Sequence, residues 1–456
     1  MLTVTDPTTG KLIREVTPDS NQVVEQRIAA AAEAYQGWRK TSFAQRAEVL
    51  RAVAARMREK IEELAPLMTQ EMGKPIKEAR GEVLKAAWCA EHYAEHAEGY
   101  LATQELASDA TRSYVQYLPL GVILGILPWN APFWLAFRYC APTLMAGNTC
   151  LLKHDPHVPA CAEAIVNLFD AVGAPAGIMQ QLAIETPDVE AVIRDRRVRA
   201  VSFTGSARGG SAVASIAGSE IKPSILELGG SDPSIVLADA DLEQAADAIS
   251  LSRIINAGQS CIAVKRVIVE APVYDKMVEL LHERLARLKV GDPAEESTDV
   301  GPIARADLRD ELARQVDSSI KQGARCLLGG QLPEGPGFFY PVTLLVDVKP
   351  GMTVWSEETF GPVAVVTRAD DADHAMALAN DTEYGLAGSV WTHAERGEAM
   401  AREIESGQVM VNGLVKTDPR LPSGGIKRSG FGRELGPHGI HEFVNAQQIW
   451  IGPKRE

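Results

Sequence analysis

Between about Gln22 and Ala107 the apolar positions recur every three or four residues. Arg46–Leu64 shows this best: Val49, Leu50, Val53, Ala54, Met57, Ile61 and Leu64 are apolar, with Arg, Glu and Lys between them. That spacing lays the apolar side chains on one helical face, so a helix packed against a core is expected over Arg46–Leu64. Pro66, Gly73 and Pro75 punctuate the region and divide it.

From Val122 onward the pattern changes to short apolar runs. Val122–Leu127, Cys150–Leu152, Ile178–Leu182, Val201–Phe203 and Ile225–Leu228 read as strands. Ala160–Ala171 and Gly209–Ala217 have helical spacing between them. A second set follows at Ser234–Leu237, Val267–Val269, Val363–Val366, Gly388–Trp391 and Val409–Val411, with helices expected over Val273–Leu288 and Ala372–Asn380. Strands alternating with helices predict an α/β fold whose parallel sheets are covered on both faces. Two such units are expected, with a boundary near Leu228–Asp232. The tail ends in a strand-like Gln448–Ile451.

A chain of 456 residues has room for two to four domain-sized units and needs no disulfide staples. The net charge is −14, from 46 basic and 60 acidic residues. So acidic a chain argues against nucleic acid as the main partner, because binding phosphate backbones requires basic surface. The six cysteines form no CxxC pair, which argues against a zinc ribbon or thioredoxin-type motif and fits a reducing compartment. The amino terminus lacks a basic region followed by an apolar run, so no signal peptide is expected and the cytoplasm is the expected location. Val122–Leu127 is far too short to span a membrane.

Several residues could carry chemistry, and each has a plainer alternative. Cys261 follows Asn256-Ala-Gly-Gln-Ser, a turn with exposed amides in which a thiolate could be stabilised; a buried structural cysteine is the alternative. Glu227, between two leucines at a strand end, could have its pKa raised into the range of a general base, or could face water. Gly205, Ser206 and Gly210 lie where a strand gives way to a helix and could admit a pyrophosphate, although Gly-x4-Gly is not the usual dinucleotide spacing. Asn130 could donate to an oxyanion or merely form a turn. Lys153 could meet a ribose or phosphate, or be solvated. His92, Glu95 and His96 match the HxxEH zinc-peptidase pattern, with no clear third ligand.

Taken together and in order, the motifs resemble those of the aldehyde dehydrogenase superfamily over essentially the whole chain. They are Pro128-Trp-Asn130, Leu151-Leu-Lys153, Phe203-Thr-Gly-Ser206, Leu226-Glu-Leu-Gly-Gly230, Gly258-Gln-Ser-Cys261, Glu358-Thr-Phe-Gly-Pro362 and Ser423-Gly-Gly-Ile-Lys-Arg-Ser-Gly430. Pro128–Trp134, Phe137-Arg138, Leu151–His154 and Asn412–Arg420 are most similar to the short bacterial succinate-semialdehyde dehydrogenases.

The resemblance implies a Rossmann-like NAD(P)-binding domain over 1–115 and 130–228, a catalytic domain over 229–422, and a β oligomerisation flap over 116–129 and 430–456. It implies a homodimer or homotetramer that oxidises an aldehyde to an acid, succinate semialdehyde to succinate being the leading case. Another short or aromatic aldehyde is the first alternative, and the HxxEH zinc peptidase a distant one. Cys261 would be the nucleophile, Glu227 the base and Asn130 an oxyanion donor. Trp129, Lys153, Pro156, Gly205, Ser206, Gly210, Leu228, Glu358 and Phe360 would line the cofactor site. Arg138, eight residues after Asn130 on one expected helix, would clasp the substrate carboxylate, with Trp134 as a wall and Thr417 as a further donor. NAD and NADP both remain open with a lean to NADP, because Pro156 stands where NAD-preferring relatives often carry a glutamate; no metal is implied. Ile255 replaces a second carboxylate-binding arginine, Ala263 a second cysteine, so no redox disulfide is expected there, and Ser423 a phenylalanine.

Overall fold

In the computed structural model, which describes residues 1–452, the helical region contains four helices: Asn21–Trp38, Phe43–Glu59, Ile61–Met72 and Ile76–Tyr100. The helix expected over Arg46–Leu64 is divided at Lys60, which leaves helical geometry at φ −100°, ψ 17°. Leu50, Val53 and Met57 before the break and Leu64 after it still share one core. Ser42 starts the second helix with a reciprocal cap: its Oγ accepts from Gln45 N (3.2 Å) and Gln45 Oε1 accepts from Ser42 N (2.9 Å). An amino-terminal hairpin, Leu2–Asp6 with Lys11–Val16, precedes the helices; the apolar pattern gave no sign of it, because Lys11–Val16 is almost wholly exposed.

Six strands form the first sheet, in the order Gly430–Phe431, Ser224–Glu227, Val198–Thr204, Val122–Leu127, Thr149–His154, Met179–Gln181. All pair in parallel except the short Gly430–Phe431 edge. Strand side chains alternate faces, and the cores follow that alternation. Ile123, Leu127, Cys150, Leu152 and Ile225 pack with the helices Phe43–Glu59, Pro132–Met145 and Pro159–Ala171. Val122, Leu124, Ile126, Leu151 and Leu226 pack with Asn21–Trp38, Val189–Arg194 and Ala207–Ser219. Both faces are therefore buried, which is why these strands read as continuous apolar runs.

The second sheet has seven strands, in the order Arg325–Leu328, Thr343–Val346, Val363–Ala369, Arg266–Glu270, Pro233–Val236, Ala387–Trp391, Gln408–Val411. Arg325–Leu328 alone is antiparallel to its neighbour. This strand, Thr343–Val346 and the helix Ala306–Lys321 were not anticipated from the sequence.

A third, antiparallel sheet orders Val444–Ile451, Arg112–Pro119 and Gln104–Glu105. It corrects the expected flap of 116–129 with 430–456. Val122–Leu127 lies in the interior of the first sheet, and Gly430–Phe431 is that sheet's edge. Pro119-Leu120-Gly121 is the point of departure, where Gly121 at φ +143° turns the chain from one sheet to the other.

Candidate active site

The carboxyl end of Ser224–Glu227 in the first sheet and the loop before Arg266–Glu270 in the second bring Glu227 and Cys261 into one pocket of about 340 Å³. The cysteine loop is held in an uncommon conformation: Asn256, Ala257 and Gly258 all have positive φ, at 54°, 52° and 74°. For non-glycine residues this costs on the order of 1–3 kcal/mol each and persists only where surroundings enforce it. Here Asn256 N donates to Glu78 Oε2 (2.7 Å), Asn256 Nδ2 to Asn130 O (2.8 Å), and Arg253, buried, to Gly258 O (2.6 Å) and Val264 O (2.9 Å). Gln259 Nε2 donates to Asn256 O (3.0 Å), while its Oε1 accepts from Ala304 N (2.9 Å). Lys265 Nζ donates to the carbonyls of Ser260 and Cys261.

Cys261 is partly exposed, whereas Cys89, Cys140, Cys150 and Cys161 are buried. Burial in the pocket pushes its thiol up to about 12, against the pull of Lys265 and Arg138. The turn presents the thiol but does not ionise it. Burial also raises the Glu227 carboxyl to about 7, opposed by Arg138 and assisted by Glu434. Its Oε2 accepts from Arg138 Nη2 at 3.1 Å, and its Oε1 is buried without a hydrogen-bond partner. A Cβ at Gly424 would stand 2.8 Å from that oxygen, so glycine there leaves room for the carboxylate.

The structure revises two expectations for the neighbouring helix. It begins at Pro132, so Asn130 lies in the preceding turn and not on the same helix as Arg138. Asn130 Nδ2 donates one hydrogen to Gln259 O (3.0 Å) and has a second to give. Arg138 was expected to offer its guanidinium to substrate. It lines the pocket, but its Nη2 is bound by both Glu227 and Glu434, and all three side chains are buried. Two carboxylates already occupy this cation. Glu82, on Ile76–Tyr100, orients the helix by accepting from Phe133 N (2.9 Å) and Trp134 N (3.1 Å). It is itself paired with buried Lys74, which donates to Asn130 O (2.9 Å).

The expected cofactor residues gather around the carboxyl edge of the first sheet. Lys153 and His154 end Thr149–His154. Lys153 is buried, and desolvation lowers its pKa against the pull of Asp155. Ser206 caps the 13-residue helix Ala207–Ser219, its Oγ accepting from Gly209 N (3.2 Å). A Cβ at Gly205 or Gly209 would meet the Phe203 ring at 2.8 Å, so the strand-to-helix turn stays open at a helix N-terminus suited to an anion. Gly210 differs from expectation: it is buried, and a Cβ there would lie 2.5 Å from Leu228 Cδ2. Its lack of a side chain serves packing of the helix on Leu228. Trp129 meets Phe360 edge-on at 5.8 Å. Glu358 Oε1 accepts from Gly230 N (3.1 Å) and lies 3.6 Å from Lys265 Nζ. Pro156 begins a turn in which Asp155 Oδ1 meets His157 Nδ1 at 2.7 Å. An open helix N-terminus, a buried lysine and two aromatic rings fit a dinucleotide.

On the substrate side, Trp134, Thr417, Ile255, Ala263 and Ser423 line the same pocket. Ser423 is buried and bridges by backbone to Glu434 (2.7 and 2.8 Å). Sequence reasoning missed Glu78, Glu82 and Lys85 on one face of Ile76–Tyr100, although their spacing of four and three residues was a readable signal. It also missed Lys265 and Glu434, which only the fold brings in. His92 and His96 lie side by side, ring centroids 4.6 Å apart, with Glu95 Oε2 3.9 Å from His96 Nε2, but His92 Nε2 is taken by Tyr100 Oη at 3.1 Å and the Glu95 side chain is 71% exposed. Among the described residues no group of three or more His, Cys, Asp or Glu could hold a metal.

Residues 1–449 match the model of the aldehyde dehydrogenase family. A protein of Synechocystis sp. named probable succinate-semialdehyde dehydrogenase [NADP(+)] is 46% identical over 447 residues, 98% of each chain. A succinate-semialdehyde dehydrogenase [NADP(+)] of Mycobacterium avium is 45% identical over 455 residues, covering 99% of this chain and 96% of that one. The crystal structure of succinic semialdehyde dehydrogenase from Streptococcus pyogenes, in complex with NADP+, superposes with a TM-score of 0.97 at 35% identity, over 99% of this chain and 100% of that one. The chain thus belongs to the aldehyde dehydrogenase family, and its fold and enzyme class are those of that family.

Proposed function

We propose that the chain oxidises succinate semialdehyde to succinate, with NADP as the preferred cofactor. The observation that carries the chemistry is the shared pocket of Cys261, a thiol held protonated by burial, and Glu227, a carboxyl raised to about 7 with one oxygen unengaged. When bound, the nicotinamide accepts the hydride. Cys261 gives its proton to water as its sulfur attacks the aldehyde carbon. The free N–H of Asn130 and the Cys261 amide hold the oxyanion, where such donors contribute a few kcal/mol each. Loss of hydride leaves an acyl thioester on Cys261. Glu227, unprotonated until this step, removes a proton from water as it attacks the thioester; the C–S bond breaks, the acid leaves, and the departing sulfur takes that proton from Glu227.

Trp129, Lys153, Gly205, Ser206, Leu228, Glu358 and Phe360 would hold the dinucleotide. Pro156 puts no carboxylate against a 2′-phosphate, and the names of the relatives above support NADP. A homodimer or homotetramer and a cytoplasmic location belong to the same reading. The edge strand Val444–Ile451, with Trp450 and Ile451 exposed, suits strand addition by a second copy. Six free cysteines suit a reducing compartment.

The test is a panel of succinate semialdehyde, butanal and benzaldehyde with each cofactor, followed by absorbance of the reduced nicotinamide. The highest kcat/KM is expected for succinate semialdehyde with NADP. A preference for butanal or benzaldehyde would overturn the substrate, and a preference for NAD the cofactor.

A further inference from the structure

The pocket that holds Cys261 contains a half-buried cation that no described carboxylate pairs with. Lys85 extends from the helix Ile76–Tyr100, its Nζ 2.9 Å from Thr417 Oγ1 and 4.2 Å from the centroid of the Trp134 ring. Lys74 in the same pocket is paired with Glu82, and Arg138 with Glu227 and Glu434. Among the described residues, no carboxylate lies within ion-pairing distance of Lys85. Charged groups taken out of water are ordinarily paired. An unpaired ammonium beside the nucleophile therefore points to a negative charge brought by the substrate.

We propose that Lys85 receives the distal carboxylate of the aldehyde substrate, with Thr417 as its partner, and that Arg138 instead positions Glu227. This deepens, and rests on, the reading of the substrate as a carboxylated aldehyde. Thr417 Oγ1 accepts one hydrogen from Lys85, which leaves the hydroxyl proton free to donate to a carboxylate oxygen. The ammonium keeps further hydrogens for the same group, while the Trp134 ring fixes its position by a cation–π contact. Burial, reinforced by Arg138, holds the ammonium pKa at about 8, so the free pocket carries the charge at neutral pH.

The experiment compares kcat/KM for succinate semialdehyde with that for butanal in wild type, K85M, K85R and T417V, with NADP. Loss of a charged contact should lower the ratio about 10- to 100-fold in K85M, mostly through KM. K85R should keep most of the ratio, and T417V should lower it several-fold. A ratio unchanged in both K85M and T417V would overturn the assignment of Lys85, as would equal losses on both aldehydes in K85M. If K85M does not fold, T417V and K85R decide: an unchanged ratio in T417V, or one lost in K85R, overturns it. Wild type judges the underlying reading separately. A wild type that prefers butanal overturns the substrate itself; one that prefers succinate semialdehyde, with K85M keeping that preference, overturns only Lys85.

Discussion

Glu227 has its carboxyl raised to about 7 by burial, so near neutral pH it exchanges a proton readily. A carboxyl acts as a base only when deprotonated, so if Glu227 is the base proposed above, steady-state turnover should rise with pH through about 7. Glu434 contributes to the upward shift as a like charge. Glu434→Gln should therefore make the Glu227 proton easier to lose and move the midpoint of the pH–rate profile to lower pH; an unmoved or raised midpoint would contradict this electrostatic account. Cys261→Ala should cost orders of magnitude in kcat while the protein stays folded by circular dichroism and still binds NADP, and retention of about a tenth of the activity would exclude the thiol as nucleophile. At this scale the sequence was informative where a residue stands in a local motif: Cys261 after Gly258, Glu227 before two glycines, Asn130 after Pro128-Trp129. It was silent on the Arg138–Glu227–Glu434 group, because three distant segments meet there only through the sheet edge at Gly430–Phe431. The arginine was legible as a pocket residue, but its two carboxylate partners were not.

Local elements set the precision of the site. The turn before Cys261 depends on Gly258, where a Cβ would lie 2.2 Å from Gly361 O and φ is +74°. Gly258→Ala should destabilise the fold by about 1–3 kcal/mol in urea unfolding and slow the reaction by displacing Cys261. Unaltered stability and turnover would mean that the turn tolerates a different backbone. The strands Val122–Leu127 and Val198–Thr204 were legible because burial on both faces leaves short, unbroken apolar runs. Lys11–Val16 has little burial and left no such pattern. The break at Lys60 was hidden for another reason: the apolar spacing continues across it, since both helices face one core. Glu82 shows what spacing alone could not supply. It acts on the N-terminus of another helix, fixing the entry to Pro132–Met145 from across the packing interface.

The two large sheets meet at the pocket, and the third carries an outer edge, along Val444–Ile451, that pairs with no further strand among the described residues. The division into two α/β units was readable from the two sets of apolar runs. The flap limits were not, because nothing in the pattern separates Arg112–Pro119 from Val122–Leu127 except the two-residue interval Leu120-Gly121. Trp450 is 48% exposed on that outer strand. If a second copy covers it, wild type should sediment as a multiple of its 49.2 kDa chain and Trp450→Lys should shift towards monomer; a monomeric wild type would remove the strand-addition proposal. The central claim is that both half-reactions pass through Cys261, with Glu227 required for release of the acyl group. The most direct measurement uses Glu227→Gln mixed with succinate semialdehyde and NADP, quenched in acid and read by peptide mass spectrometry. The account predicts one burst of reduced cofactor and a succinyl thioester on the peptide containing Cys261. A burst with no adduct on Cys261, or full steady-state turnover by the variant, would contradict it.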